Sequence, residues 1–376
     1  MHHSILSKIP LILTKARFKT ACFLLWKEQT FCALKIDFCF YRDRLCPFPP
    51  ALSSSPAPPA ASAPLVPIFT SNTFFYSMPK KGMAMFECVQ VGENTYYIAN
   101  PVNVGLYIEN GEAWIIDTGI DARVGKKIIQ RLNEHNWKPK AIINTHCHVD
   151  HVGANAWLQK EYNIPIYSNG MDRYFIEHTV LSAMALWGAF PPKALQGTLF
   201  TAEDSKNVQN IYDAPLPKGF EIIPFSGHSL YMFGVRTPDN IVFTADEFCN
   251  AAILDKYKIA YNYCVELYYK SLEEAEKLEA KLFVPAHGEP FTDIKQYAAM
   301  NRKAVLEVHR LILEQCRTPQ SFDMLLQCIL NHYKMNVSFA QHVIVGSTIR
   351  SYLSWLLNDE LIEPVIENNM LYWQTK

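Results

Sequence analysis

The chain lacks several features that would place it in a functional class at once. It has ten cysteines in 376 residues, but none of them forms a C-x-x-C pair. This argues against a disulfide framework and a cysteine-based zinc knuckle, and makes a reducing, cytoplasmic compartment the simpler expectation. No run approaches the ~18–20 uninterrupted apolar residues that a membrane helix needs, so no membrane partner is expected. Charge of one sign is not in excess. The formal net charge is -1, which gives no overall pull toward nucleic acid or anionic lipid. No internal repeat is present. What remains is ordinary globular composition, 49% hydrophobic and 19% charged, in a chain long enough for a sizeable core.

Three regions differ in texture. Residues 1–77 hold eight Lys/Arg against three Asp/Glu, and eight prolines lie between Pro47 and Pro67. Proline at that density denies the backbone both helix and ladder hydrogen bonds. The region is therefore expected to be a disordered or artefactual basic leader, with a targeting peptide as the alternative. Globular patterning starts near Met78, Met83 or Met85. Residues 83–292 then form one expected folded domain, and 293–376 a helical C-terminal region.

Within 83–292, short β-branched and aromatic runs (FECVQVG, TYYIAN, VGLYIEN, EAWIIDT) are separated by turn residues and read as an antiparallel meander. Asn110-Gly111 is the strongest hairpin signal. A helix is expected from about Ala122 to His135, capped by Asp121, with Val124, Ile128, Ile129 and Leu132 on one face. Further strands are expected at 141–144, 164–167, 221–224, 241–245 and 281–284, with a helix over 154–162. The fold class is thus α+β, mixed sheets covered by helices. Beyond Thr292, helices over 296–316, 321–333 and 345–357 precede a hairpin around Asn368-Asn369, a winged-helix-like layout.

The chemistry is concentrated after the strand at 141–144. Thr145-His146-Cys147-His148-Val149-Asp150-His151 puts three imidazoles and a carboxylate within six positions. Such ligands suit zinc, iron or manganese. His146 and His148 are two apart and can point the same way from an extended loop, while Asp150 and His151 sit where the chain enters the next helix. His228, Asp246 and His287 each lie just past an expected strand, where loops converge on a rigid sheet.

In this order, the HxHxDH run, Gly227-His228, the strand-terminal Asp246 and His287-Gly288 resemble the metallo-β-lactamase superfamily over about residues 85–290. The resemblance implies a four-layer αβ/βα sandwich. It implies two divalent metal ions, zinc first with iron or manganese as alternatives. His146, His148 and His228 would hold one ion, Asp150, His151 and His287 the other, and Asp246 would bridge them. Asp117, in Ile115-Ile116-Asp117-Thr118-Gly119, matches the family's early strand-end aspartate and is expected to support the ligand loop. Asp150 and Asp117 are the candidate catalytic residues. Cys147 reads as packing.

Two close divalent ions can share a water and lower its pKa toward about 7, so the expected nucleophile is a metal-bridging hydroxide. Known zinc β-lactamases place cysteine or serine where Asp246 stands, which argues against antibiotic hydrolysis. The expected activity is hydrolysis of a small ester or thioester, as in the glyoxalase II-like group, although that group's basic glutathione-binding residues are not recognisable here. An endoribonuclease or phosphodiesterase is one alternative, because the β-lactamase-like endoribonucleases carry a similar tail. Residues 320–376, with three Lys/Arg against five Asp/Glu, fit packing or homodimerisation better than nucleic acid. A mononuclear iron persulfide dioxygenase is the second alternative. The segment 174–192 reads as a packed helix pair or a lid, Tyr231 as a packing residue, and Tyr257, Tyr261, Tyr263, Tyr268 and Tyr269 as pocket candidates.

Overall fold

The strand-forming runs after Phe86 pair as their turn residues direct. The computed structural model describes residues 85–197 and 199–376, so the expectations for the leader lie outside the described residues. Strands β1 (Cys88–Gln90), β2 (Thr95–Ile98), β3 (Val104–Glu109) and β4 (Glu112–Ile116) form the antiparallel meander. Asn110 and Gly111 close the β3–β4 hairpin with φ of 53° and 78°, the left-handed pair that a two-residue turn between twisted strands requires. β5 (Lys138–Ile143), β6 (Ile166–Ser168) and β7 (Gln209–Asn210) add in parallel, giving seven strands in chain order. The second sheet contains β8 (Glu221–Pro224), β9 (Phe233–Arg236), β10 (Ile241–Phe243) and β11 (Leu282–Val284), in the order β11-β10-β9-β8.

Side-chain alternation splits each strand between two cores. In the first sheet Ile98, Leu106, Ile115 and Ile142 face the helices Ala122–Glu134 and Asn155–Tyr162, packing on Ile128, Leu132 and Leu158. Their neighbours Tyr97, Tyr107, Trp114 and Ile143 face the other way, toward Phe233, Val235, Phe243 and Val284 of the second sheet. Val242 and Phe283 then point outward onto the helices Val265–Ala275 and Ile294–Gln315. The result is helix, sheet, sheet, helix, an α+β sandwich of four layers. Asp121 caps the first helix as expected, accepting from the backbone N–H groups of Arg123 and Val124.

The C-terminal stretch contains the helices Ile294–Gln315, Phe322–His332 and Phe339–Asn358. A small antiparallel sheet accompanies them, β12 (Gln320–Ser321) and the hairpin of β13 (Ile362–Glu367) and β14 (Met370–Thr375). Asn368 and Asn369 turn that hairpin with φ of 50° and 64°. One buried cluster runs without a break from Ile223 and Phe283 through Val308 and Ile312 to Ile349, Leu353 and Ile362, so this region shares the core of the second sheet.

The structure differs from expectation at several points. β10 stops at Phe243 because Ala245 takes a left-handed φ of 49° and turns the chain before Asp246. The last long helix starts at Phe339, well before Val345. Ser338 and Gln341 form a reciprocal capping box there. Strands β7, β9 and β12 and the helices Ala251–Tyr257 and Val265–Ala275 add to the elements expected from the sequence. Residues 174–192 hold two short helices, Asp172–Glu177 and Val180–Trp187. The six cysteines among the described residues are all unpaired, and no described helix is long and apolar enough to cross a membrane.

Candidate metal centre

Asp117 follows β4 in the left-handed region, with φ of 60°, and this turn aims its carboxylate across to the chain leaving β5. There Oδ1 accepts from the Thr145 backbone N–H at 2.9 Å, and Oδ2 accepts from the Thr145 hydroxyl at 2.7 Å and contacts His151 Nδ1 at 2.8 Å. One buried carboxylate therefore ties down both ends of the loop 145–151. A buried network reinforces it. Thr118 Oγ1 donates to Asn155 Oδ1, Asn155 Nδ2 to Asn144 Oδ1, and Asn144 Nδ2 to the His151 carbonyl.

The remaining donors arrive from the second sheet. Gly227 precedes His228 at φ 122°, and a Cβ there would lie 2.2 Å from the Tyr268 backbone nitrogen, so only glycine lets this turn pass. Asp246 follows Ala245 after β10, and His287 follows β11. Four donor residues, His146, His148, His228 and Asp246, converge with ligand atoms all within 4.8 Å of one another. Asp150, His151 and His287 form a second such group. Asp246 stands between the two, its carboxylate 3.2 Å from His228 Nε2, 3.5 Å from both His151 Nε2 and His287 Nε2, and 3.9 Å from His146 Nε2. Asp150 Oδ2 is 3.4 Å from His287 Nε2.

These contacts suit cations better than hydrogen bonds. His148 Nδ1 is 2.9 Å from both His146 Nε2 and His228 Nε2, and three imidazole nitrogens cannot all satisfy one another with the protons they carry. His151 Nε2 and Asp246 Oδ1 are buried with no hydrogen-bond partner. On the far side, the rings of His228 and His287 donate Nδ1–H to the carbonyls of Tyr261 and Pro101, at 3.0 and 2.9 Å. That leaves the Nε2 lone pairs facing the pocket, the outer-sphere arrangement that orients a metal ligand.

The electrostatics point the same way. Burial, and then the neighbouring imidazoles, hold His146 well below the usual histidine range and His148 down to about 3, so their lone pairs are available. Burial would raise Asp150, but the His151 and His287 rings outweigh it and hold its carboxyl at about 2. Asp246 is held well below its usual value against burial by His287 and His151. His287 is pushed up to about 10 and His151 also upward, against burial, by the carboxylates they face. A divalent cation held here would take the place of those protons.

Of two further side chains beside the donors, Asp172 carries no mark in the sequence, whereas Tyr261 is one of the expected pocket residues. Asp172 is buried at the start of its helix and accepts from Ser229 Oγ at 2.5 Å, bracing the His228 turn; burial pushes its carboxyl up to about 6 despite that bond. Tyr261 is half-buried, with its ring 5.3 Å from that of His148 and 5.8 Å from that of His228. Of the other tyrosines, Tyr257 and Tyr268 also border a pocket, Tyr263 is exposed and Tyr269 packs on Trp355. Tyr231 packs over Gly170. Cys147 is buried among apolar side chains, and burial raises its thiol well above the usual range.

Two facing sheets with His and Asp donors gathered at their strand ends define the fold and site of a metal-dependent hydrolase. The chain belongs to the metallo-beta-lactamase superfamily, whose family model matches residues 97–287. It is 35% identical over 77 residues to the probable metallo-hydrolase YybB of Bacillus subtilis, 20% of this chain and 34% of that protein. It is 34% identical over 73 residues to the hydroxyacylglutathione hydrolase GloC of Haemophilus influenzae, 19% of this chain and 33% of that one. The chain thus spans about a third of the length of these curated relatives. A crystal structure of a beta-lactamase domain protein from Burkholderia ambifaria has the same fold, with TM-score 0.61 at 16% identity over 80% of this chain and 95% of its own.

Proposed function

We propose that this chain is a dinuclear metal-dependent hydrolase of small esters or thioesters, with residues 83–292 as catalytic domain and 293–376 as a winged-helix-like appendage. The observation that carries the reading is the convergence of seven His and Asp donors, two of them with buried unpartnered ligand atoms, on one pocket. His146, His148 and His228 would hold one cation and Asp150, His151 and His287 the other, with Asp246 between them; zinc suits this donor set best. Bound there, two divalent ions supply Lewis-acid polarisation of a substrate oxygen and a water whose pKa falls from about 15.7 toward 7.

The chain's own residues do the rest. Asp117 keeps the His151 proton on Nδ1 and so its Nε2 toward the pocket. Asp150, on the wall of the cavity, orients the attacking water as an acceptor. Water oxygen adds to the acyl carbon, the acyl C–O or C–S bond breaks, and the proton leaves with the alkoxide or thiolate. The name of the Haemophilus relative supports thioester chemistry as one arm of the test. The test is turnover of an ester, thioester, phosphodiester and persulfide panel by protein loaded with zinc, iron or manganese. Ester or thioester hydrolysis abolished by chelation is expected. Oxygen uptake with persulfide, or turnover of phosphodiester alone, overturns the reading.

A further inference from the structure

Two cavities, each of about 90 Å³, open from the metal pocket and share His228, Asp246, Tyr261 and Ile344 as a common border. The first is walled by apolar side chains including Val102, Leu186, Leu199 and Phe200. The second is walled by Phe248, Ile253, Leu254 and Met335 among others. No lysine or arginine is among the described residues lining either one.

The roof is part of the folded core. Ala183, Leu195, Phe200 and Val343 form a buried cluster against which Leu186, Leu199 and Ile344 pack. Trp187 meets Phe339 edge-on at 5.8 Å between ring centroids. The wall over the metal pocket is thus built jointly by the helix Val180–Trp187 and the C-terminal helix Phe339–Asn358.

Resting on the hydrolase reading above, we propose that the substrate is an uncharged ester or thioester with an apolar chain on each side of its carbonyl, one chain per cavity, and that Ile344 of the C-terminal helix, on the border of both cavities, is needed to admit those chains. Cations held at the ligand cluster would act on the reacting carbonyl and not on remote groups of the substrate. A carboxylate or phosphate further along the substrate would be buried against apolar walls with no cation beside it, at several kcal/mol. A glutathione thioester, with remote carboxylates, therefore fits poorly. Size follows from volume. At roughly 10–15 Å³ per water-sized group, each cavity holds about six to nine such groups.

The experiment measures kcat/KM of metal-loaded protein on p-nitrophenyl esters from acetate to decanoate, and on S-alkyl and glutathione thioesters of one acyl group. Each added methylene should raise kcat/KM about fourfold up to about six to eight carbons, with no gain beyond. The glutathione thioester should fall at least tenfold below the S-alkyl one. I344R should lower the hexanoate-to-acetate ratio at least tenfold. Independently of turnover, calorimetry should detect 2-octanone but not acetone binding to wild-type protein stripped of metal. Hydrolysis with a flat or falling chain-length series, or with the glutathione thioester preferred, overturns this proposal while the hydrolase reading stands. No acyl hydrolysis by fully loaded protein overturns the hydrolase reading, and octanone binding then decides whether the apolar cavities take such chains.

Discussion

Replacing Asp117 by asparagine keeps the shape of the side chain and removes its charge, which makes it the sharpest probe of how the ligand loop is held. Asp117 is 3% exposed and serves three contacts, the Thr145 amide, the Thr145 hydroxyl and His151 Nδ1. The amide oxygen of D117N can keep the bond from the Thr145 backbone. Its NH2 group then faces the positions where the carboxylate accepted. The Thr145 hydroxyl can rotate and accept, but His151 Nδ1 can do so only by giving up its proton. The ring would then carry its proton on Nε2, the atom that faces Asp246 at 3.5 Å and should bind metal. Loss of a carboxylate behind a metal-binding histidine costs about 10–100-fold in metal affinity or activity, or about 1.4–2.8 kcal/mol. Competition with a fluorescent chelator should show one cation weakened by that factor and the other by less, with a parallel fall in kcat. Wild-type affinity for both cations and unchanged kcat would refute the positioning role.

Other expectations follow from the same geometry. D246A should abolish turnover and lower occupancy at both cation positions, because Asp246 lies between the two donor groups; two tightly held metals in that variant would contradict its placement. G227A forces a Cβ to within 2.2 Å of the Tyr268 nitrogen at φ 122°, so a loss of about 3 kcal/mol or more is expected. Thermal unfolding checks it, and an unshifted Tm would show that the turn tolerates a side chain. D121A removes a helix cap and should cost about 1 kcal/mol at neutral pH. Burial would raise the Asp121 carboxyl, but the bonds from the Arg123 side chain and from the Arg123 and Val124 amides outweigh it and lower its pKa. A lowered carboxylate pKa gives stability that is present above the unfolded value, about 3.9, and lost as pH falls through the folded one. The Tm gap between D121A and wild type should therefore narrow below about pH 4, and a gap that widens in acid would be the wrong sign.

The parts of the fold that were legible in sequence are those written in local chemistry. Asn110-Gly111 and Asn368-Asn369 mark their hairpins because few residues accept a left-handed backbone, and Val124, Ile128 and Leu132 mark a helix by spacing alone. The donor residues were legible because His and Asp fall just past strands. β9 was hidden because it shows only Phe233 and Val235 on one face, and on the other Gly234 offers no side chain where a Cβ would meet Phe225 and the Phe243 carbonyl. Asp172 and Ile344 carry no local mark at all. Each matters through a partner far along the chain, Ser229 for one and the helix Val180–Trp187 for the other. The early start of the last helix was legible in principle, since Ser338-x-x-Gln341 is a capping-box pattern.

The central claim is a two-cation centre, and metal content per chain by elemental analysis, on protein purified without added metal or chelator, tests it most directly. The account predicts about two transition-metal ions per chain, mainly zinc, falling to about one or fewer in D246A. About one iron and little else in the wild-type protein, unchanged on adding excess zinc, would contradict it.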